Sequence, residues 1–167
     1  MNNEECHLRY FYPDGKVSFE VLKDGTERSY YENGQMQKEF DRRNGKIFEW
    51  LPDGRKSMET LSDGTEISYF PNGQKSDESR DGFYTAWHLD GSKSIESFPD
   101  GTERRWNEKH KLILEELPDG TMHRWNNKGI MVEEALPDGT KRSWYENGNK
   151  KEEKLSDGTK RSWYENG

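Results

Sequence analysis

The sequence predicts an all-β protein: an elongated, twisted, open antiparallel β-meander, a single-layer sheet of about 17 short strands. Three observations predict it. The 16 glycines fall 9 to 11 residues apart, save one gap of 19, and every one except Gly129 follows Asp or Asn. Asn-Gly and Asp-Gly between short alternating segments are strong hairpin signals. The stretch Asp138-Gly-Thr-Lys-Arg-Ser-Trp-Tyr-Glu-Asn-Gly148 recurs unchanged from Asp157 to Gly167, nineteen residues on, and the rest of the chain reads as diverged copies of that two-strand unit.

Composition sets the bounds. A hydrophobic fraction of 28% is too low for a thick core, yet aromatics at 13% recur at a fixed period, which argues for order without one. A net charge of −7 and a pI near 5.2 disfavour a nucleic-acid partner, since phosphate contacts need a basic face. A single cysteine, Cys6, allows no disulfide framework and no thiolate metal site. Met1 to Cys6 has neither a basic n-region nor an apolar h-region, so a cytoplasmic protein is expected. No apolar run reaches membrane-spanning length. The domain reading is a single repeat domain over 1–167, with a flexible N-terminus over 1–7.

The segments alternate between two types. Type A follows most Asp-Gly turns and reads Thr-x-Arg-Ser-Trp-Tyr-Glu, as in Thr159 to Glu165. It carries an aromatic at one position: Tyr10, Tyr30, Trp50, Tyr69, Trp87, Trp106, Trp125, Trp144, Trp163. Type B follows Asn-Gly and carries a glutamate: Glu20, Glu39, Glu59, Glu78, Glu96, Glu115, Glu134, Glu153. The gap between Gly101 and Gly120 is filled by a turn without glycine at Lys109-His110.

Turn chemistry then sets the register. A nineteen-residue period is odd, so equal two-residue loops would swap the faces at each repeat. Asn-Gly suits a two-residue type I′ turn, and Pro-Asp-Gly a three-residue loop closed by a glycine bulge. Two seven-residue segments with these loops fill the period. Arg142 and Arg161 then lie opposite Glu153, Trp144 and Trp163 flank Lys151, and Leu155 faces Thr159. The irregular repeats fit if Asp81-Gly82 is a two-residue loop and Arg42 to Gly45 a four-residue loop pairing Asp41 with Lys46.

One face then carries three rows. The first alternates Thr with Leu or Phe. The second alternates Arg (or Phe48, Ile67, Thr85, His123) with Glu. The third alternates the aromatics with Ser18, Gln37, Ser57, Ser76, Ser94, Ile113, Val132 and Lys151. Both faces are expected to be largely wet. Stacked at ~4.8 Å, the strands would make a sheet roughly 80 Å long.

At Tyr30-Tyr-Glu-Asn-Gly-Gln-Met-Gln-Lys-Glu-Phe40 and Trp144-Tyr-Glu-Asn-Gly-Asn-Lys-Lys-Glu-Glu-Lys154 the chain resembles the MORN-repeat variant of bacterial YwqK-like proteins, of the antitoxin or immunity type. Its return turn departs from that pattern. Phe98-Pro-Asp-Gly-Thr102 is similar instead to the G-box of centriolar T-complex-protein C-terminal domains. Both resemblances imply an elongated meander used for binding. Neither implies a cofactor or a catalytic residue.

The expected function is therefore a non-enzymatic protein-binding module, with a toxin or an assembly partner. The candidate binding residues are Tyr30, Trp50, Tyr69, Trp87, Trp106, Trp125, Trp144 and Trp163; the same rings are also the obvious stabilisers of a sheet without a core. The alternatives are a scaffold that self-associates edge to edge, the last strand at Gly167 being open, and a carbohydrate-binding surface on the aromatic row. The turn aspartates Asp63, Asp100, Asp119 and Asp138 are expected to serve the turns rather than a metal. His7, His88, His110 and His123 show no metal-ligand spacing, and no catalytic site is expected.

Overall fold

The computed structural model describes residues 6–166. They hold seventeen strands and no helix. The chain divides into two units, Met1–Asp81 and Gly82–Gly167. The first contains β1 (Cys6–Phe11), β2 (Val17–Leu22), β3 (Glu27–Tyr30), β4 (Met36–Asp41), β5 (Lys46–Trp50), β6 (Lys56–Thr60), β7 (Glu66–Tyr69) and β8 (Lys75–Arg80). The second contains β9 (Phe83–Trp87), β10 (Lys93–Ser97), β11 (Glu103–Trp106), β12 (Leu112–Glu116), β13 (Met122–Trp125), β14 (Met131–Ala135), β15 (Lys141–Trp144), β16 (Lys150–Lys154) and β17 (Lys160–Ser162). Of the expected flexible stretch 1–7, residues 1–5 lie outside the described residues, as does Gly167; Cys6 and His7 belong to β1.

Within each unit every strand pairs antiparallel with its neighbours in sequence, and among the described residues no second layer covers them. Each unit is thus an open, all-β meander. The four-residue loop is as expected: Gly45 N–H donates to Asp41 O at 2.8 Å, and Asp41 pairs with Lys46. Asp81 and Gly82 both take positive φ, 49° and 82°, as a type I′ turn requires. His110 stands in the glycine place of its turn with φ 58°.

The Asn-Gly loops differ from expectation. Gly148 N–H donates to Tyr145 O at 2.9 Å and Tyr145 N–H to Asn149 O at 2.8 Å. The Asp-Gly loop repeats this geometry: Gly158 N–H to Leu155 O at 3.0 Å, Leu155 N–H to Thr159 O at 2.8 Å. Both are three-residue loops whose glycine lies at φ near 88°. The side chain before the glycine explains the choice. Asn147 Oδ1 accepts the N–H of Asn149 at 2.9 Å, as Asp157 Oδ1 accepts that of Thr159 at 2.7 Å. This Asx contact stabilises the three-residue form over a type I′ turn.

With two equal loops, the odd residue of the period has to sit elsewhere. It sits inside type B strands. Ser143 pairs with Glu152 but Trp144 with Lys150, so Lys151 is a β-bulge. The same shift occurs opposite each row aromatic up to Trp144, and the additional residues are Ser18, Gln37, Ser57, Ser76, Ser94, Ile113, Val132 and Lys151. These are the residues expected to alternate with the rings. The ring's partner is one position earlier: Met36, Lys56, Lys75, Lys93, Leu112, Met131, Lys150. A bulge sets two residues against one and restores the face parity that the loops do not. It also places the residue three before each glutamate on the glutamate's own face.

Burial is one-sided. The buried residues are Leu22, Ile67, Glu20, Glu153, Thr26, Thr65, Thr102, Thr121 and Thr140. All belong to the first two rows, so one face is drier than a sheet wet on both sides. Alternate pairs such as Leu22 N–H to Thr26 O at 2.8 Å set Leu beside Thr along the first row. Each cross-strand pair contributes about 0.2–1 kcal/mol, so stability accumulates from many small terms.

Candidate binding face

The glutamate row organises the face. Glu20, Glu39, Glu115, Glu134 and Glu153 are each flanked by an arginine or His123 on a paired strand. Arg9 Nη2 donates to Glu20 Oε2 at 2.6 Å, Arg28 Nε to Glu39 Oε2 at 2.7 Å and Arg104 Nε to Glu115 Oε1 at 2.9 Å. Arg142 spans two strands, donating to Glu134 Oε2 at 2.5 Å and Glu153 Oε1 at 2.9 Å. His123 takes an arginine place, with its ring nitrogens 3.5 Å from Glu115 and from Glu134.

Where the arginine place is apolar, a lysine compensates. Glu59 lies between Phe48 and Ile67, and Lys56 Nζ donates to it at 2.7 Å. Glu78 lies beside Ile67 and receives Lys75 Nζ at 2.5 Å; Glu96, between Thr85 and Arg104, has Lys93 in addition to an arginine neighbour. Beside Glu20, Glu39, Glu115 and Glu134 the same place holds Val17, Met36, Leu112 and Met131. Glu153 has both arginine and Lys150, whose Nζ lies 2.7 Å away. The bulge makes this exchange geometric, since it brings the lysine to the glutamate's face. The signal was in the sequence: lysine three residues before Glu59, Glu78 and Glu96, where the arginine place reads Phe48, Ile67 or Thr85.

These contacts hold the carboxylates ionised. Burial pushes the Glu59 carboxyl up, but hydrogen bonds from Lys56 and Tyr69 outweigh it and keep the group below its usual range. At Glu20 burial is likewise outweighed by hydrogen bonds from Tyr30 and Arg9. At Glu115 the Arg104 hydrogen bond dominates in the same direction.

The aromatic row lies alongside. Tyr30, Trp50 and Tyr69 share the face in the first unit, and Trp87, Trp106, Trp125, Trp144 and Trp163 in the second; all are half-buried. In β1 the row position is Phe11, not Tyr10. Phe11 faces the bulge, whereas Tyr10 pairs with Phe19 on the opposite face, ring centroids 6.2 Å apart. The run Tyr10-Phe11-Tyr12 is aromatic at three successive places, which hid the register.

Two of the rings are tied into the sheet. Tyr30 Oη donates to Glu20 Oε1 at 2.6 Å, and Tyr69 Oη donates to Glu59. Burial, with the Glu59 bond, pushes the Tyr69 phenol up to about 12. Three of the tryptophans have a ring or cation neighbour instead. Trp50 packs on Phe48 at 6.1 Å, Trp125 on His123 at 5.7 Å, and Lys150 Nζ lies 4.9 Å from the Trp163 centroid.

The opposite face carries a second repeat device that the sequence reading missed. Tyr12 Oη donates to Tyr30 O at 2.6 Å, Tyr31 Oη to Trp50 O at 2.9 Å and Tyr145 Oη to Trp163 O at 2.9 Å. His88 does the same, its Nε2 3.1 Å from Trp106 O. Each bond spans one whole repeat. Asn33 Nδ2 reaches Pro52 O at 2.7 Å and Asn147 Nδ2 reaches Glu165 O at 2.8 Å. That amide bond favours Asn over Asp at these turns, since a carboxylate cannot donate. The visible clue was the doublet Tyr30-Tyr31 or Trp144-Tyr145.

The turn aspartates act locally. Asp63, Asp100, Asp119 and Asp138 each accept the N–H of the following threonine at 2.8–3.0 Å, which holds their carboxyls below the usual range. Among the described residues no three His, Cys, Asp or Glu are grouped to hold a metal ion. What the face offers is a field of half-buried rings beside paired charges.

Residues 23–44 and 137–155 match the MORN repeat variant. A comparison with curated protein sequences found no match. Among solved structures, the chain is similar to the G-box domain of the microcephaly protein CPAP, with a TM-score of 0.52 and 24% identity over 94% of this chain and 97% of that one. It is also similar to the TCP10 domain of Danio rerio CPAP, at 0.44 and 18% over 95% and 89%. The same domain in complex with a peptide of Danio rerio STIL gives 0.40 and 24% over 96% and 94%. At such identities the likeness concerns the fold. Two stretches of this chain thus match the MORN repeat variant, and the open meander shares the fold of the CPAP G-box domain.

Proposed function

We propose that the chain is a non-catalytic protein-binding β-module of the antitoxin or immunity type, whose aromatic-bearing face meets a toxin. The observation that carries this is the half-buried rings, three on a face of the first unit and five on a face of the second, with no covering layer among the described residues. A repeat that only needed stiffening has the glutamate row and the tyrosine bridges for that purpose. The tryptophans add surface of the kind that dominates protein interfaces, large and rigid with a polar edge. The MORN repeats and the G-box fold support the same reading, and the bacterial antitoxin form follows the MORN resemblance.

The test is a comparative pull-down. Wild-type chain and the Trp106→Ala and Trp125→Ala variants are immobilised and challenged with extract from the source organism. The proposal expects a protein retained by wild type and lost from both variants, with unchanged circular dichroism and melting. Retention by all three, or loss only with unfolding of neighbouring repeats, would leave the row a purely structural device.

A further inference from the structure

Among the described residues the charge row is one-sided at Arg9 in β1 and at Arg161 in β17. Arg142 donates to a glutamate on each side, Glu134 and Glu153. Arg28 lies in register with Glu20 on one side and Glu39 on the other. Arg9 donates to Glu20 through Nε at 3.0 Å and Nη2 at 2.6 Å, on the β2 side. Among the described residues of its unit β1 pairs with β2 alone, and the Arg9 side chain is 41% exposed.

The neighbours of Arg9 share the exposure. Leu8 is 43%, Tyr10 56% and Phe11 59% exposed, among the most exposed large hydrophobics of the chain. On its covered side β1 shows what these residues accept. Leu8 pairs with Val21, Arg9 with Glu20 and Tyr10 with Phe19. The complement of Leu-Arg-Tyr is therefore an apolar–Glu–apolar tripeptide. The open edge offers the same three side chains, with the alternate backbone N–H and C=O groups that turn away from β2.

We propose that the open edge of β1 binds, by strand addition, an extended segment of another protein that brings an apolar–Glu–apolar tripeptide opposite Leu8, Arg9 and Tyr10. Backbone bonds supply the docking, Arg9 selects the carboxylate, and Leu8 and Tyr10 take the flanking apolar side chains. A second copy of this chain fits the edge poorly. In the register that continues the rows, its own end strands bring Arg9 or Arg161 opposite Arg9, and like charges directly opposite are unfavourable. This site is independent of the aromatic face and stands or falls separately from it.

The probe is a fluorescein-labelled peptide with the sequence of Val17–Leu22 between polar flanks, titrated with the full chain and read by anisotropy. A second peptide carries Lys in place of its Glu. The expected result is saturable binding of the first peptide, weakened about tenfold or more by that change. Arg9→Glu is expected to invert the preference. Tyr10→Lys, at an exposed position, keeps the fold and weakens both peptides, which keeps the test informative where Arg9→Glu melts early. Hydrogen exchange is expected to show new protection in β1 alone. No binding at millimolar peptide, equal binding of the two peptides, or protection elsewhere overturns the proposal. So does concentration-dependent dimerisation that protects β1, which would assign the edge to a second copy.

Discussion

Replacing Lys56 by methionine tests the compensation between arginine and lysine along the glutamate row. Glu59 lies between Phe48 and Ile67, its side chain 13% exposed. Lys56 Nζ donates to it at 2.7 Å and sits 5.0 Å from the Phe48 centroid. Lys56→Met leaves the carboxylate with the Tyr69 hydroxyl as its nearby donor. Stranding a hydrogen-bonded charge costs about 1–3 kcal/mol. The lysine is 36% exposed, so water screens part of this, and about 1–2 kcal/mol is the expected loss. For a chain of this size that lowers the melting temperature by roughly 2–4 °C per kcal/mol.

The rescue is specific. Phe48→Arg in the Lys56→Met background recreates the Arg28, Met36, Glu39 set, and its guanidinium would lie between Glu39 and Glu59 as Arg142 lies between Glu134 and Glu153. Urea denaturation of the wild type, both single variants and the double variant forms a double-mutant cycle. A favourable coupling of about 1 kcal/mol is expected. The reasoning fails if Lys56→Met changes stability by less than about 0.3 kcal/mol, inside ordinary surface scatter, or if the two changes simply add.

Other perturbations read different parts of the sheet. His110→Gly relieves a positive φ of 58° at the loss of an exposed contact to Asp90, and a net gain of about 0.5–1 kcal/mol in urea denaturation is expected. Tyr31→Phe removes the bridge to Trp50 O and is expected to cost about 0.5–1.5 kcal/mol, whereas Tyr164→Phe, at an 84% exposed ring, is expected to leave the urea midpoint unchanged. Acid should destabilise the fold. The turn aspartates and Glu20, Glu59 and Glu115 have folded pKa values below their unfolded ones, so their contribution is complete above about pH 5 and is lost as pH falls through the folded values. Urea midpoints measured from pH 7 to pH 2 check this, and a midpoint that rises on acidification would contradict it.

Much of this architecture was legible before any coordinates. Glycine spacing located the turns, and the odd period required one parity-breaking residue per repeat, which placed Arg142 and Arg161 correctly against Glu153. Where that residue sits was not legible. Segments of seven and seven with loops of two and three fill nineteen residues as well as segments of seven and six with two loops of three. Asn-Gly is compatible with both loops. The deciding contacts, Asn147 Oδ1 with Asn149 N–H and Asn147 Nδ2 with Glu165 O, exist only once the next repeat is in place. The lysine substitutions were hidden for the same reason, because residues three apart share a face of a strand only across a bulge. The aromatic row was legible as a set of positions, apart from the Tyr10 and Phe11 shift. That Tyr30 and Tyr69 are bound to glutamates while Trp50, Trp125 and Trp163 lie beside rings or a cation needed the packed face.

The central claim, that the aromatic-bearing face rather than its reverse meets a protein, is tested most directly by site-specific photo-cross-linking. Benzoylphenylalanine is placed at Trp106 on the row, or at Arg105, the adjacent exposed residue of β11 on the opposite face. Each chain is irradiated in extract from the source organism and its adducts are identified by mass spectrometry. The account predicts a discrete protein adduct from position 106, competed by excess wild-type chain and weak from position 105. Equal adducts from both positions, or an adduct from 105 alone, would contradict it.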